Sequence, residues 1–244
     1  MALRFHFIAL GDNPNNACSK RIVKITGLWL LVVKPGRLVA ISGLSGILCP
    51  VVTLATIGTA LYYAPWFSWT NNSLSDLAGT AGETPIWAAR GVASAVFNTG
   101  LVADGILTLI FAIGLRKNLG FTTRLGNLGT LMFILGACAL AGIGIFPKTM
   151  GRIHYVFSTS FFPLVPLSIL LIGMAVLKSS DKVMGWFTIA LGITGLCSLL
   201  IPWPWKGEAI PDAISIFPMM VFAMVFGTRL LKRTAPHLFG TGNT

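Results

Sequence analysis

The chain has 244 residues, 55% of them hydrophobic and only 10% charged, with a mean hydropathy of +0.80 and a formal net charge of +11. An ordinary soluble domain carries about 25% charged residues, so this composition excludes a soluble enzyme and predicts an all-α integral membrane protein. Soluble catalytic signatures are missing too. There is no His-Glu-x-x-His, no Gly-x-Ser-x-Gly and no phosphate-binding Gly-rich loop ending in Lys-Ser/Thr, so neither a metal nor a cofactor is expected.

Residues 1–36 form a basic N-terminal extension. Within it Ile22 to Val33 is apolar for only 12 residues, contains Lys24, and is flanked by Lys20, Arg21, Lys34 and Arg37. That is too short to span, and it predicts an amphipathic helix lying on an anionic leaflet. Lys34-Pro35-Gly36-Arg37 stands where a signal peptide would have its small-residue cleavage site.

A six-helix membrane domain then runs over 37–233, with spans at about 38–62, 89–115, 125–146, 153–177, 183–201 and 209–231, each near the roughly 20 apolar residues a crossing needs. Residues 234–244 are left as a tail. With the N-terminus inside, 14 of the 18 Lys and Arg residues fall on the inner side and only Arg90, Lys148, Arg152 and Lys206 outside. Basic residues accumulate in cytoplasmic loops, which predicts a multi-pass cell-membrane protein with both termini cytoplasmic. The basic excess is thereby a topology signal. No recognition motif accompanies it, so membrane lipids rather than nucleic acid are the expected partners.

Small residues on the third span (Gly126, Gly129, Gly136, Gly142, Gly144) and the fifth (Gly185, Gly192, Gly195) let helices approach closely in lipid, and both spans are expected to be central. Pro50, Pro163, Pro166 and Pro218 lie inside spans and predict kinks. Cys18, Cys49, Cys138 and Cys197 show no paired spacing and read as thiols buried in helix packing.

Unusual chemistry gathers in the outer loops. Five of the seven tryptophans lie there, Trp66, Trp69, Trp87, Trp203 and Trp205, either as an aromatic belt at headgroup level or as the wall of a ligand groove. Ser73 and Asp76 have capping-box spacing, so Asp76 is either a helix-start carboxylate or a functional one. Asp212 follows Pro211 at the start of the sixth span and Glu208 precedes it by four residues, positions where an acid complements a helix dipole. His154 opens the fourth span behind Arg152, with Ser158 one turn further. Asp104 lies inside the second span, where a carboxylate must be paired, protonated or turned to the bundle interior.

Several of these stretches carry a family resemblance. Pro65-Trp66-Phe67-Ser68-Trp69, Asn72-Ser73-Leu74-Ser75-Asp76-Leu77, Val96-Phe97-Asn98-Thr99-Gly100-Leu101, Gly142-Ile143-Gly144-Ile145-Phe146-Pro147, His154 with Ser158, Phe161 and Phe162, and Ala209-Ile210-Pro211-Asp212 follow one another in the chain. Together they resemble the prokaryotic, mainly archaeal membrane family called domain of unknown function 998, itself distantly similar to Frag1/DRAM/Sfk1-type membrane proteins. The resemblance covers about 38–231 and implies a six-helix bundle with no established activity. Lys148 and Asp212 depart from it, because the family pattern favours an acid after Phe-Pro and a Glu in place of Asp212.

Three functions compete. A binding protein would hold a lipid or other amphiphile in an outer-face cleft, with Lys148, Arg152 and Lys206 meeting an anionic headgroup, Trp69 and Trp203 lining the apolar part, and Ser158 and Glu208 contributing polar contacts. A lipid hydrolase or transferase would use His154 as general base oriented by Asp76 or Asp212. A structural or assembly factor would need no small-molecule site. His154, Asp76 and Asp212 are expected to meet in one outer pocket.

Overall fold

In lipid every backbone group must find its partner within the protein, and a helix achieves this inside a single segment. The computed structural model describes residues 21–25, 28–32, 35–119, 123–178 and 181–234, giving backbone alone for those up to 36 and for 118–119. The six apolar segments are helices: α1 Pro35–Tyr62, α2 Val92–Leu119, α3 Arg124–Ile145, α4 Arg152–Leu177, α5 Lys182–Leu200 and α6 Ala209–Thr234. All six are long and apolar enough to cross a membrane, and the chain is a polytopic membrane protein. Two helix starts are capped by side chains: Thr123 Oγ1 accepts from Gly126 N at 3.2 Å and Asp181 Oδ1 from Met184 N at 3.1 Å.

The amphipathic helix expected over Ile22–Val33 is replaced by two antiparallel strands, β1 Arg21–Ile25 and β2 Leu28–Val32, with Arg21 opposite Val32 and Ile25 opposite Leu28. The composition accounts for it. Ile22, Val23, Ile25, Trp29 and Val32 are strand formers, and Gly27 in the middle of so short a helix would cost about 1 kcal/mol relative to alanine.

The helices form a ring in which each packs on the next and α6 returns to α1. The α1–α6 closure rests on two glycines. A Cβ on Gly43 would lie 2.8 Å from the Gly227 carbonyl oxygen, and one on Gly227 would lie 2.7 Å from that of Gly43. Backbone meets backbone there, so neither position has room for a side chain. On α3, Gly129, Gly136 and Gly142 receive Ile172, Val165 and Phe157 of α4. The glycines of α5 also face α4, against Leu177, Leu170 and Pro166, but α5 packs on α4 and α6 from outside the cavity described below.

Below the middle of the bundle Phe111, Phe133 and Phe222 meet edge to face, with ring centres 5.4, 5.9 and 6.1 Å apart. Outward, Ile41, Leu44, Leu48, Val51 and Leu54 make an exposed apolar stripe on α1, the face a lipid-embedded helix presents to acyl chains. Cys49 is buried as expected, whereas Cys138 and Cys197 are exposed on the bundle surface.

Candidate functional site

At the end opposite the α1 start, three connections are hydrogen-bonded into a cap. The Leu74–Ala78 segment is a tight single-turn helix whose Leu74, Leu77 and Ala78 are buried against α1 and α2. Asp76 Oδ2 accepts from the Ser73 amide at 2.8 Å, the reciprocal contact of a capping box. Gly207 N donates to Thr70 O at 2.8 Å and Ala209 N to Asn72 O at 2.9 Å, which stitches the α5–α6 connection to the α1–α2 connection. A Cβ on Gly207 would come within 2.5 Å of Asn72 O, so the stitch depends on glycine. Gly82 N donates to Thr149 O at 3.0 Å and brings in the α3–α4 connection.

Lys148 ties two of these connections electrostatically, α3–α4 to α1–α2. Its Nζ lies 2.6 Å from Asp76 Oδ1 and donates to Ser73 Oγ at 2.9 Å, with both charged side chains largely covered. Burial alone would raise the Asp76 carboxyl, but the Lys148 ammonium and the Ser73 amide outweigh it and hold the carboxyl below its ordinary value. Further out, Arg90 reaches Glu83 through Nε at 3.2 Å and Nη2 at 3.1 Å and lies 4.0 Å over the Trp66 ring. Arg90 and Thr80 lower the Glu83 carboxyl to about 2.

Beneath this cap is a cavity of about 890 Å³, its open mouth included, walled by α1, α2, α3, α4, α6 and the Leu74–Ala78 turn. Phe97, Leu101, Leu140, Ile143, Phe161 and Ile216 make most of the wall apolar, and the polar groups form two patches. Near the cap stand His154, Ser158, Asp212 and Ser75; at mid-depth stand Asp104, Thr53, Thr108 and Cys49.

Three of these groups are held by hydrogen bonds to the bundle. His154 is 1% exposed, its Nδ1 lies 2.9 Å from Phe146 O, and its Nε2 is buried without a partner. Asp104 Oδ2 accepts from Thr53 Oγ1 at 2.6 Å while Oδ1 is buried and unpartnered. Asp212 Oδ2 accepts from Leu74 N at 3.3 Å, so the first residue of the tight turn is pinned by the first turn of α6. Lys148 and Asp76 are near enough to Asp212 to act on it electrostatically.

The candidate residues therefore divide. His154, Ser158, Asp104 and Asp212 line the cavity, and Asp76 stands just behind it, turned to Lys148. Trp69, Arg152, Trp203, Lys206 and Glu208 are not among its lining residues. Trp203 donates from Nε1 to Ser198 O at 2.9 Å and stacks on Trp205 at 5.2 Å, and Trp69 packs edge-on against Phe67 at 5.6 Å. Thr53, Thr108 and Ser75 were missed by sequence reasoning. Hydroxyls in apolar spans are common, and only the facing of α1 onto α2 makes Thr53 the partner of Asp104. Among the described residues no group of three or more His, Cys, Asp or Glu could hold a metal ion.

The family model described as "Protein of unknown function (DUF998)" matches residues 47–229. No curated protein and no solved structure matches the chain.

Proposed function

We propose, for a chain that belongs to the DUF998 family, that the cavity within the helices binds a single membrane amphiphile, polar head under the cap and acyl part along the apolar wall. The observation that carries this reading is the pair of buried, unpartnered polar atoms, His154 Nε2 and Asp104 Oδ1, on residues that line an otherwise apolar cavity. A buried polar atom without a partner costs about 1–3 kcal/mol, and an occupant that satisfies it recovers that cost. Binding is favoured over hydrolysis because His154 Nδ1 is held by a backbone carbonyl rather than a carboxylate, and its Nε2 has no side-chain nucleophile as a hydrogen-bond partner. Protein extracted from its membrane should carry about one strongly enriched lipid per chain in native mass spectrometry, and Ile216→Trp, which fills the cavity, should release it without loss of fold. Absence of an enriched lipid in the wild type, or retention undiminished by Ile216→Trp, would reject the reading.

The protein is placed in the cell membrane with the α1 start and the α6 end on the cytoplasmic side. Arg116, Lys117, Arg124, Lys178 and Lys182 support this orientation, since they all lie at or beside helix ends on that side of the bundle. In a cysteine-free background, Asn72→Cys and Lys206→Cys should react with an impermeant reagent on intact cells, and Lys117→Cys and Lys182→Cys only after permeabilisation. The opposite pattern would invert the assignment.

A further inference from the structure

The polar groups that line the cavity share one character. A carbonyl can only accept, so the His154 nitrogen beside Phe146 O carries the hydrogen, and in the neutral ring Nε2 is then a lone pair. Thr53 has one hydroxyl hydrogen and two acceptors in reach, Asp104 Oδ2 at 2.6 Å and Cys49 O at 2.9 Å. When Asp104 is ionised, or protonated on Oδ2 with Thr53 accepting that proton, its Oδ1 is an acceptor. Asp212 adds a carboxyl group whose Oδ2 already accepts from a backbone amide. Beside these groups no Lys or Arg among the described residues lines the cavity, and Lys148, the cation next to it, is held by Asp76 and Ser73.

We infer that the cavity selects an amphiphile whose head donates hydrogen bonds and carries no negative charge, an alcohol such as a glycerol monoester or an alkylammonium, and that it refuses phosphate and carboxylate heads. The inference rests on the amphiphile reading above and narrows it to a head chemistry. An anionic head would place acceptor against acceptor in a site shielded from water, where repulsion is weakly screened. Asp104 lies about two helical turns, ~10 Å at 1.5 Å per residue, along α2 from Phe97, the lining residue of α2 nearest the cap. At that separation the donors of one small head meet a single patch, while the chain follows Leu140, Met219 and Ala223.

The test uses the full chain in phosphatidylcholine nanodiscs and three radiolabelled probes with the same twelve-carbon chain: monododecanoylglycerol, dodecylamine and dodecyl phosphate. After subtraction of empty discs, the glycerol ester, the amine or both should be retained at about one per chain, with the phosphate at least about tenfold weaker, about 1.4 kcal/mol. Retention of the amine alone identifies ionised acids as the partners, and retention of the glycerol ester alone identifies neutral acceptors; either supports the inference. Asp104→Asn, which offers a donor in place of an acceptor, and His154→Phe, which removes the lone pair, should each narrow that preference several-fold. Two variants keep the test decisive if one fails to fold. Phosphate retained as well as the other probes would overturn the head assignment while leaving an amphiphile site. Unchanged selectivity in every variant that folds would overturn the assignment as well. Retention of none of the probes would remove the site itself.

Discussion

At the end where α1 begins, Gly43 and Gly227 bring two backbones into contact and the Phe111, Phe133 and Phe222 rings fill the space above them, whereas at the other end the helices part around a cavity that hydrogen-bonded loops close. The first closure is apolar and leaves no room for adjustment. The second is made of amide hydrogen bonds, the Lys148–Asp76 ion pair and a carboxylate that pins a tight turn. Close packing resists any change of volume, while polar links can be broken singly at a cost of about 1–2 kcal/mol each. A binding site that must admit and release a ligand belongs beside the second kind of closure.

The largest expected effect falls on the packed end. Gly227→Val puts a branched side chain where a Cβ already meets Gly43 O at 2.7 Å, and should destabilise the bundle by about 3 kcal/mol or more. Thermal melting in detergent checks it, and a change under 1 kcal/mol would mean that the two helices separate easily. Asp104→Lys should be of similar size, because an ammonium beside Thr53 has no acidic partner. Asp104→Asn, which keeps an acceptor for the Thr53 hydroxyl, should stay within about 1 kcal/mol; equal damage from both would mean that an ionised carboxylate is needed there.

The cap should respond more gently. Lys148→Met leaves Asp76 partly covered and unpaired, for a loss of about 1–2 kcal/mol at neutral pH. The sign with pH follows from the lowered Asp76 carboxyl. A group depressed in the fold stabilises above its unfolded value and loses that contribution as pH falls through its folded value. The gap between wild type and Lys148→Met should therefore be full at pH 7 and close as the pH drops below about 4. A gap independent of pH would assign Lys148 a packing role instead. The smallest effect is expected for Asp181→Asn at the basic end. Its 2.6 Å pair with Arg229 is solvent-exposed, and its cap on Met184 N can be kept by the asparagine oxygen. The melting temperature should move by no more than about a degree at moderate salt.

The spans were legible because lipid enforces length and apolarity together, and no alternative structure satisfies both over 20 or so residues. The N-terminal strands were not, since a short apolar run with one lysine fits an interfacial helix and a hairpin equally well until Gly27 is weighed. The site was half legible. His154, Asp104 and Asp212 stand out in sequence as polar residues in or beside spans. What the sequence lacks is facing: nothing in it shows that Thr53 meets Asp104, that α5 stays outside the cavity, or that Lys148 turns to Asp76. Those relations arise from the order in which helices close the ring, which local periodicity does not encode.

The contact between Gly43 and Gly227 joins the first of these helices made to the last. During synthesis α1 to α5 are inserted before α6 exists, and until then the cavity lacks the wall that carries Asp212, Ile216, Met219 and Ala223. Asp104 does not wait for that step, because Thr53 on α1 reaches it as soon as the first helical hairpin forms. Asp212 arrives on α6 with its partner amide, Leu74 N, already in the α1–α2 connection. The most costly polar group is thus provided for early in biogenesis, and the cavity comes into being only when the final span docks.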